Sequence, residues 1–210
     1  MKTVALQDLV KAYGEDAVKR ILKTFSCKEK NEDVDRFLRK LAIKNTRKRN
    51  SITHLVFDDE RHLVAYFTLT NKPLTIRLGD FSDKDVISRL DEVARVTVDR
   101  ENRIYRISAY LIAQVAKNQA IPEGRNLSGK DLFAEIFSKI AIVQGIVGGK
   151  VVFLEYEKER PQLRKLYTQK YGFREFPMPS NEDKQRKLGQ LFCFQNDDNQ
   201  PTTGGNDIGS

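Results

Sequence analysis

The chain is poor in the residues that staple small folds and hold metals. Its two cysteines, Cys27 and Cys193, lie far apart and in no C-x-x-C pair. That excludes a disulfide scaffold and a cysteine-based zinc site. Only two histidines occur, His54 and His62. A histidine metal site or a Ser-His-Asp array therefore lacks its raw material, and no metal is expected. His54 falls in a stretch of alternating apolar residues and His62 at a turn, so both read as structural or solvated. Long apolar runs are also missing. The longest, such as "VVFL" and "IAIV", are far too short to cross a bilayer, so no membrane partner is expected. The first residues carry acids and no sustained apolar core, unlike a secretory signal. The expected address is the cytoplasm.

What is present points to a soluble globular α/β protein. The 210 residues suffice for one well-packed domain, and 40% of them are hydrophobic and 31% charged. Lysine and arginine number 37 against 29 acids, a formal charge of +8. Such a surplus favours anionic partners, either nucleic acid or a phosphorylated cofactor.

The hydrophobic period changes along the chain. From Leu6 to Phe25 it is helical, through Leu9, Val10, Val18, Ile21 and Leu22. Val34, Phe37, Leu38, Leu41 and Ala42 make a second helical stripe. Its other face holds Arg36, Arg39, Lys40, Lys44, Arg47, Lys48 and Arg49, either a solvated surface or a platform for a polyanion. "SITHLVFDDERHLVAYFTLT" reads as two strands joined by the turn "DDER". "KPLTIRL" is a third strand or a continuation of the second. "SDKDVISRLDEV" reads as a capped amphipathic helix. "RIYRISAYLIAQVAKN" is apolar on both faces, the mark of a central strand. A helix follows from about Ser128 to Gln144. Then come a buried strand "GGKVVFLEY", a helix opened by Pro161, and two last strands in "GFREF" and "LGQLFCFQ". There is no internal repeat, and the polar tail 196–210 should be disordered.

Between the central strand and its helix lies "EGRNLSGKDLF". Gly124, Gly129 and Lys130 match the start of a Walker A loop, but Asp131 stands where the magnesium-binding Ser or Thr belongs. Ser128 and Asp131 have the spacing of a capping box. A helix mouth with Gly129, flanked by Arg125 and Lys130, can also hold a pyrophosphate on its free N–H groups without metal.

These residues resemble the GCN5-related N-acetyltransferases, the GNAT family. "ISAYLIAQVAKNQAIPEGRNLSGKDLF" is similar to the family's fourth strand, pyrophosphate loop and third helix. "VVFLEYEKERPQLRKLYTQKYGF" is similar to the next strand and helix, ending in the family's Gly-Phe pair, here Gly172 and Phe173. "FSCKEKNEDVDRFLRKLAIKN" with the hairpin after it resembles the branch that includes toxins acetylating aminoacyl-tRNA. The loop departs from the family's Arg/Gln-x-x-Gly-x-Gly/Ala, with Gly124 in the first place and Leu127 at the middle glycine.

The resemblance implies a mixed, mostly antiparallel sheet flanked by helices, around a central strand–pyrophosphate loop–helix unit. It implies a GNAT domain over 25–195 behind a helical extension, 1–24. The implied activity is acetyl transfer from acetyl-CoA to a primary amine of a small molecule, a protein or an aminoacyl-tRNA. The alternatives are a toxin acting on charged tRNA and a weakened, binding-only member of the fold. Pantetheine would run along Gln114, Val115 and Lys117. The pyrophosphate would sit at Gly124, Arg125, Asn126, Leu127, Ser128, Gly129 and Lys130. The family's catalytic tyrosine position holds Thr168, with Tyr167 one residue earlier. Tyr167 is thus either the acid or a core residue. The basic helix, 36–49, would meet tRNA, and a homodimer stays open.

Overall fold

The computed structural model describes residues 1–28, 32–93, 96–122, 127–177 and 187–195. Gly124, Arg125, Asn126 and the tail 196–210 lie outside the described residues. Eight strands form one mixed, mostly antiparallel sheet: β1 (Lys2–Ala5), β2 (Ile52–Phe57), β3 (Leu63–Arg77), β4 (Val96–Asp99), β5 (Ile104–Lys117), β6 (Val151–Glu157), β7 (Arg174–Glu175) and β8 (Leu188–Phe194). Their order is β1-β2-β3-β5-β6-β8-β7, with β4 beside β5. The helices are α1 (Leu6–Tyr13), α2 (Glu15–Lys23), α3 (Glu32–Arg36), α4 (Ala42–Arg47), α5 (Lys84–Val93), α6 (Gly129–Val147) and α7 (Pro161–Tyr171), with a π-helical turn at Phe37–Leu41 between α3 and α4. Among the described residues no helix is long and apolar enough to cross a membrane.

One local expectation needs correction, one open alternative is decided, and two short strands were not foreseen. The helical stretch from Leu6 to Phe25 is two helices, because Gly14 takes φ 78° and turns the chain between them. "KPLTIRL" continues β3, which runs for 15 residues through Pro73. The strands β1 and β4, four residues each, had no visible period.

By Cα proximity the chain divides into two compact units, Met1–Asn71 with Leu111–Ile142, and Lys72–Tyr110 with Val143–Ser210. In the first, β1 pairs antiparallel with β2, and β2 with β3. Leu6, Leu9, Val18, Leu22, Leu38 and Ala42 from the helices share one core with Leu55, Leu63 and Tyr66 of the strands. Tyr66 is fully buried, edge-on to Phe25 at 5.0 Å, and its hydroxyl donates to the Val34 carbonyl at 2.9 Å. That bond satisfies a phenol that would otherwise cost about 1–3 kcal/mol to bury. Burial raises its pKa. Cys27, also buried, has its thiol pushed up to about 12 by burial first and by Asp35 second. It is therefore an inert core residue.

In the second unit, β6 and β8 pair from Val151↔Phe194 to Glu157↔Leu188, and β7 adds to β8. Phe176 packs on Phe192 at 4.4 Å, Phe81 stands edge-on to Phe192 at 6.0 Å, and Arg89 lies 4.1 Å over the ring of Phe194.

Candidate active site

The first unit holds the strand–loop–helix part. β5 enters it fully apolar, with Leu111 and Ile112 buried, and becomes half-buried from Ala113 to Ala116. Gln114 and Val115 therefore lie where the strand leaves the core, and Lys117 at its end is exposed. The next residue, Asn118, is 1% exposed and closes the strand. Its Nδ2 donates to the carbonyls of Leu63 at 2.7 Å and Thr24 at 3.1 Å. Its Oδ1 accepts from the amides of Ser26 and Ala120, both at 3.0 Å. Its own amide donates to Val64 at 2.8 Å. A side-chain amide can make few more bonds than these. Sequence reasoning missed Asn118, whose only sequence signal was a lone amide ending a long apolar strand.

On the far side of the loop, Leu127 is buried at 5% exposure and Ser128 is exposed. The place of the family's middle glycine is thus filled by a buried leucine side chain. The Ser128 hydroxyl accepts from the Asp131 amide at 3.0 Å and donates to the Asp131 carboxylate at 2.6 Å. Ser128 therefore caps α6, while Asp131 returns its bond to the Ser128 hydroxyl and not to the Ser128 amide as the full capping box would. Asp131 is engaged with the cap, and its charge suits the positive end of a 19-residue helix. Gly129 and Lys130 open α6, with Lys130 exposed.

The second unit holds Tyr167 and Thr168 on α7. Pro161 starts this helix and Gly172 ends it at φ 69°, donating its amide to the Tyr167 carbonyl. Tyr167 is half-buried, with its ring centroid 6.4 Å from Tyr171 and 6.2 Å from Phe173. Burial, with a smaller push from Tyr171, raises its pKa to about 12. The Thr168 hydroxyl donates back to the Arg164 carbonyl at 2.9 Å. It keeps lone pairs for accepting but has spent its proton on its own helix. Arg164 grips Glu175 with two bonds of 2.5 and 2.6 Å, tying α7 to β7.

The basic face is real. Arg36, Arg39, Lys40, Lys44, Arg47, Lys48 and Arg49 are all exposed. Arg39 donates to the Phe25 carbonyl at 2.5 Å, and Arg47 pairs with Glu15. Among the described residues the other five have no such side-chain partner. Among the described residues no group of three His, Cys, Asp or Glu side chains is placed to hold a metal.

No family model and no curated protein matches the sequence. Solved structures do match the fold. AtaT complexed with acetyl-methionyl-tRNAfMet superposes with a TM-score of 0.58 at 16% identity, covering 92% of this chain and 94% of that one. A tyrosine-to-phenylalanine mutant of KacT gives the same values. AtaT bound to the antitoxin AtaR's C-terminus and acetyl-CoA gives 0.53 at 16% identity over 82% and 84%. The chain has the GNAT fold. At this identity the likeness carries the architecture. Gln114, Val115, Lys117 and Leu127 to Lys130 then fall in the first unit of that fold, and Tyr167 and Thr168 in the second.

Proposed function

We propose that this chain is an acetyl-CoA-dependent N-acetyltransferase whose acceptor is the amino group of an aminoacyl-tRNA. One observation carries the enzyme reading: a capped helix N-terminus, opened by Gly129 and Lys130, that follows the long central strand β5 in the chain. First-turn N–H groups and a nearby ammonium suit a pyrophosphate that is held but not cleaved. The neighbours solved with acetyl-CoA and with an acetylated tRNA support the reading, as does the exposed basic stretch.

Bound acetyl-CoA supplies an acyl thioester. Pantetheine would run along the backbone from Gln114 to Lys117. The loop from Gly124 to Lys130 holds the pyrophosphate, with Arg125 and Lys130 adding positive charge. Tyr167 is the proton-handling candidate. With its pKa near 12 it stays a phenol throughout the physiological range. Giving that proton fully to a thiolate of ordinary pKa, about 8.5, is uphill by roughly 5 kcal/mol. Its role is therefore to donate a hydrogen bond to developing negative charge, and positioning supplies most of the remainder.

The test is acetyl transfer to charged tRNA, with free amino acids and a panel of small amines as comparison. Gly129→Glu, which sets a carboxylate at the helix mouth, should abolish transfer to any acceptor. Transfer to small amines but to no charged tRNA would remove the acceptor assignment. Absence of transfer to every acceptor would leave the fold as a binding module. Expression should arrest growth, and Gly129→Glu should relieve the arrest.

A further inference from the structure

In the first unit, α1 and α4 enclose a pocket of about 240 Å³. Leu6, Val10 and Ile43 form its apolar wall, and Lys11, Arg47 and Arg49 ring it with positive charge. No acid lines it. The nearest acid in the network, Glu15, is already bonded to Arg47 and to Lys19 at 2.8 Å. Arg47 is thereby fixed in place, while Lys11 and Arg49 are exposed. Arg49 sits at φ 57°, left-handed for a residue with a Cβ, a conformation that costs about 1–2 kcal/mol. It closes α4 through a bond from its amide to the Thr46 carbonyl at 3.1 Å.

The shape and charge together select the ligand. The volume is just below the range of drug-sized pockets, so it takes one flat or compact apolar group. The rim demands an anion attached to that group. The surroundings demand more than one anion: from Arg36 to Phe57 the chain has no acid, and Lys40, Lys44 and Lys48 are exposed on the same stretch of chain as Arg47 and Arg49. A row of cations around a single apolar hole fits a polymer with regular charge and discrete flat groups. A guanidinium plane, supplied here by Arg47, is a stacking surface for bases splayed out of single-stranded RNA. An acidic peptide matches the charge but has no flat apolar group for the hole to take.

We infer that the α1–α4 pocket binds one unstacked nucleotide of an RNA, with its base against Val10 and Ile43 and its flanking phosphates on Lys11 and Arg49. This rests on the RNA reading of the basic face and adds to it a discrete base site lined by residues other than those proposed for acetyl transfer.

The experiment titrates a fluorescent single-stranded oligoribonucleotide carrying 4-thiouridine, and in parallel a deacylated tRNA, at several salt concentrations. Val10→Phe fills the pocket without changing charge. It should weaken oligonucleotide binding about tenfold, the worth of one stacked base, and leave the salt slope unchanged. Arg49→Ala should lower the slope by about one. Lys11→Glu alters only an exposed side chain, keeps the melting temperature, and should weaken binding at least as much. Irradiation should cross-link the thiouridine to peptides 6–11 or 43–49. Wild-type binding that Val10→Phe leaves intact, or cross-links confined to other peptides, would overturn the pocket while preserving the RNA reading. Displacement of the cross-link by saturating acetyl-CoA would give the pocket to the cofactor's own nucleotide and overturn it too. An acidic peptide whose binding depends on Val10 while the oligonucleotide's does not would assign the site to a protein. Absence of binding to either RNA would sink both proposals together.

Discussion

His54 shows how burial decides a residue's chemistry. It lies on β2, stacked on Phe67 at 4.9 Å and 11°, and its Nδ1 is buried without a hydrogen-bond partner. Burial first, and the Lys139 ammonium second, bring its pKa down to about 4. The unfolded chain binds this proton near pH 6.5, so between 6.5 and 4 the unfolded state takes up more protons than the folded one. Stability from this residue is complete above pH 6.5 and is lost as pH falls towards 4, by about 3 kcal/mol in all. Urea unfolding from pH 7 to 4 should therefore show a smaller fall for His54→Gln than for the wild type. Parallel curves for the two proteins would refute the assignment. That histidine's structural role was legible from the alternating apolar residues around it. The pairing of Ser128 with Asp131 was legible from a three-residue spacing. Asn118 was not, because its partners at Thr24, Ser26 and Leu63 are 55 to 94 positions away. Local sequence carries no trace of such bonds.

Among the elements, long periodic segments were readable and short ones were not. α6 shows Leu132, Phe133, Ile136 and Ile140 buried as its spacing requires. β5 is the central strand its two apolar faces indicate. β1 and β4 take their conformation from the strand beside them, and four residues are too few to show a period. Two glycines separate two physical costs. Gly172 ends α7 in the left-handed region with open space where a Cβ would go. Gly172→Ala pays only backbone strain, about 1 kcal/mol, or roughly 2–4 °C in Tm for a chain of this size. Gly189 on β8 sits opposite Tyr156 on β6, and a Cβ there would meet the ring at 2.4 Å. The ring fills the gap the glycine leaves, and its hydroxyl reaches Glu175 at 3.1 Å. Gly189→Ala must displace that ring and should cost more, roughly 2 kcal/mol, as overpacking does. Thermal melts rank the two. A Gly189→Ala protein at least as stable as Gly172→Ala would show that the β6–β8 pairing tolerates a shift of Tyr156.

For the molecule as a whole, the +8 charge is the feature that composition revealed and folding localised. Ion pairs such as Arg47–Glu15, Arg164–Glu175 and Arg174–Asp83 consume part of the positive charge in tying elements together. Exposed pairs of this kind contribute little stability, about 0–1 kcal/mol each. Among the described residues Arg36, Lys40, Lys44, Lys48 and Arg49 are exposed and in no such ion pair, and so can meet an anion. A folded chain that binds its co-substrate gains stability by mass action, whatever the acceptor. At about a hundredfold excess over Kd the gain is about 2.7 kcal/mol, a Tm rise of roughly 5–11 °C. Acetyl-CoA should give that rise in the wild type. Gly129→Glu should keep the unliganded Tm within about 2 °C, since Gly129 opens α6 where an acid suits the dipole, and should lose the shift. A full shift in Gly129→Glu would move the pyrophosphate away from the mouth of α6. No shift in the wild type at saturating acetyl-CoA, with the protein folded, would separate this GNAT fold from GNAT chemistry.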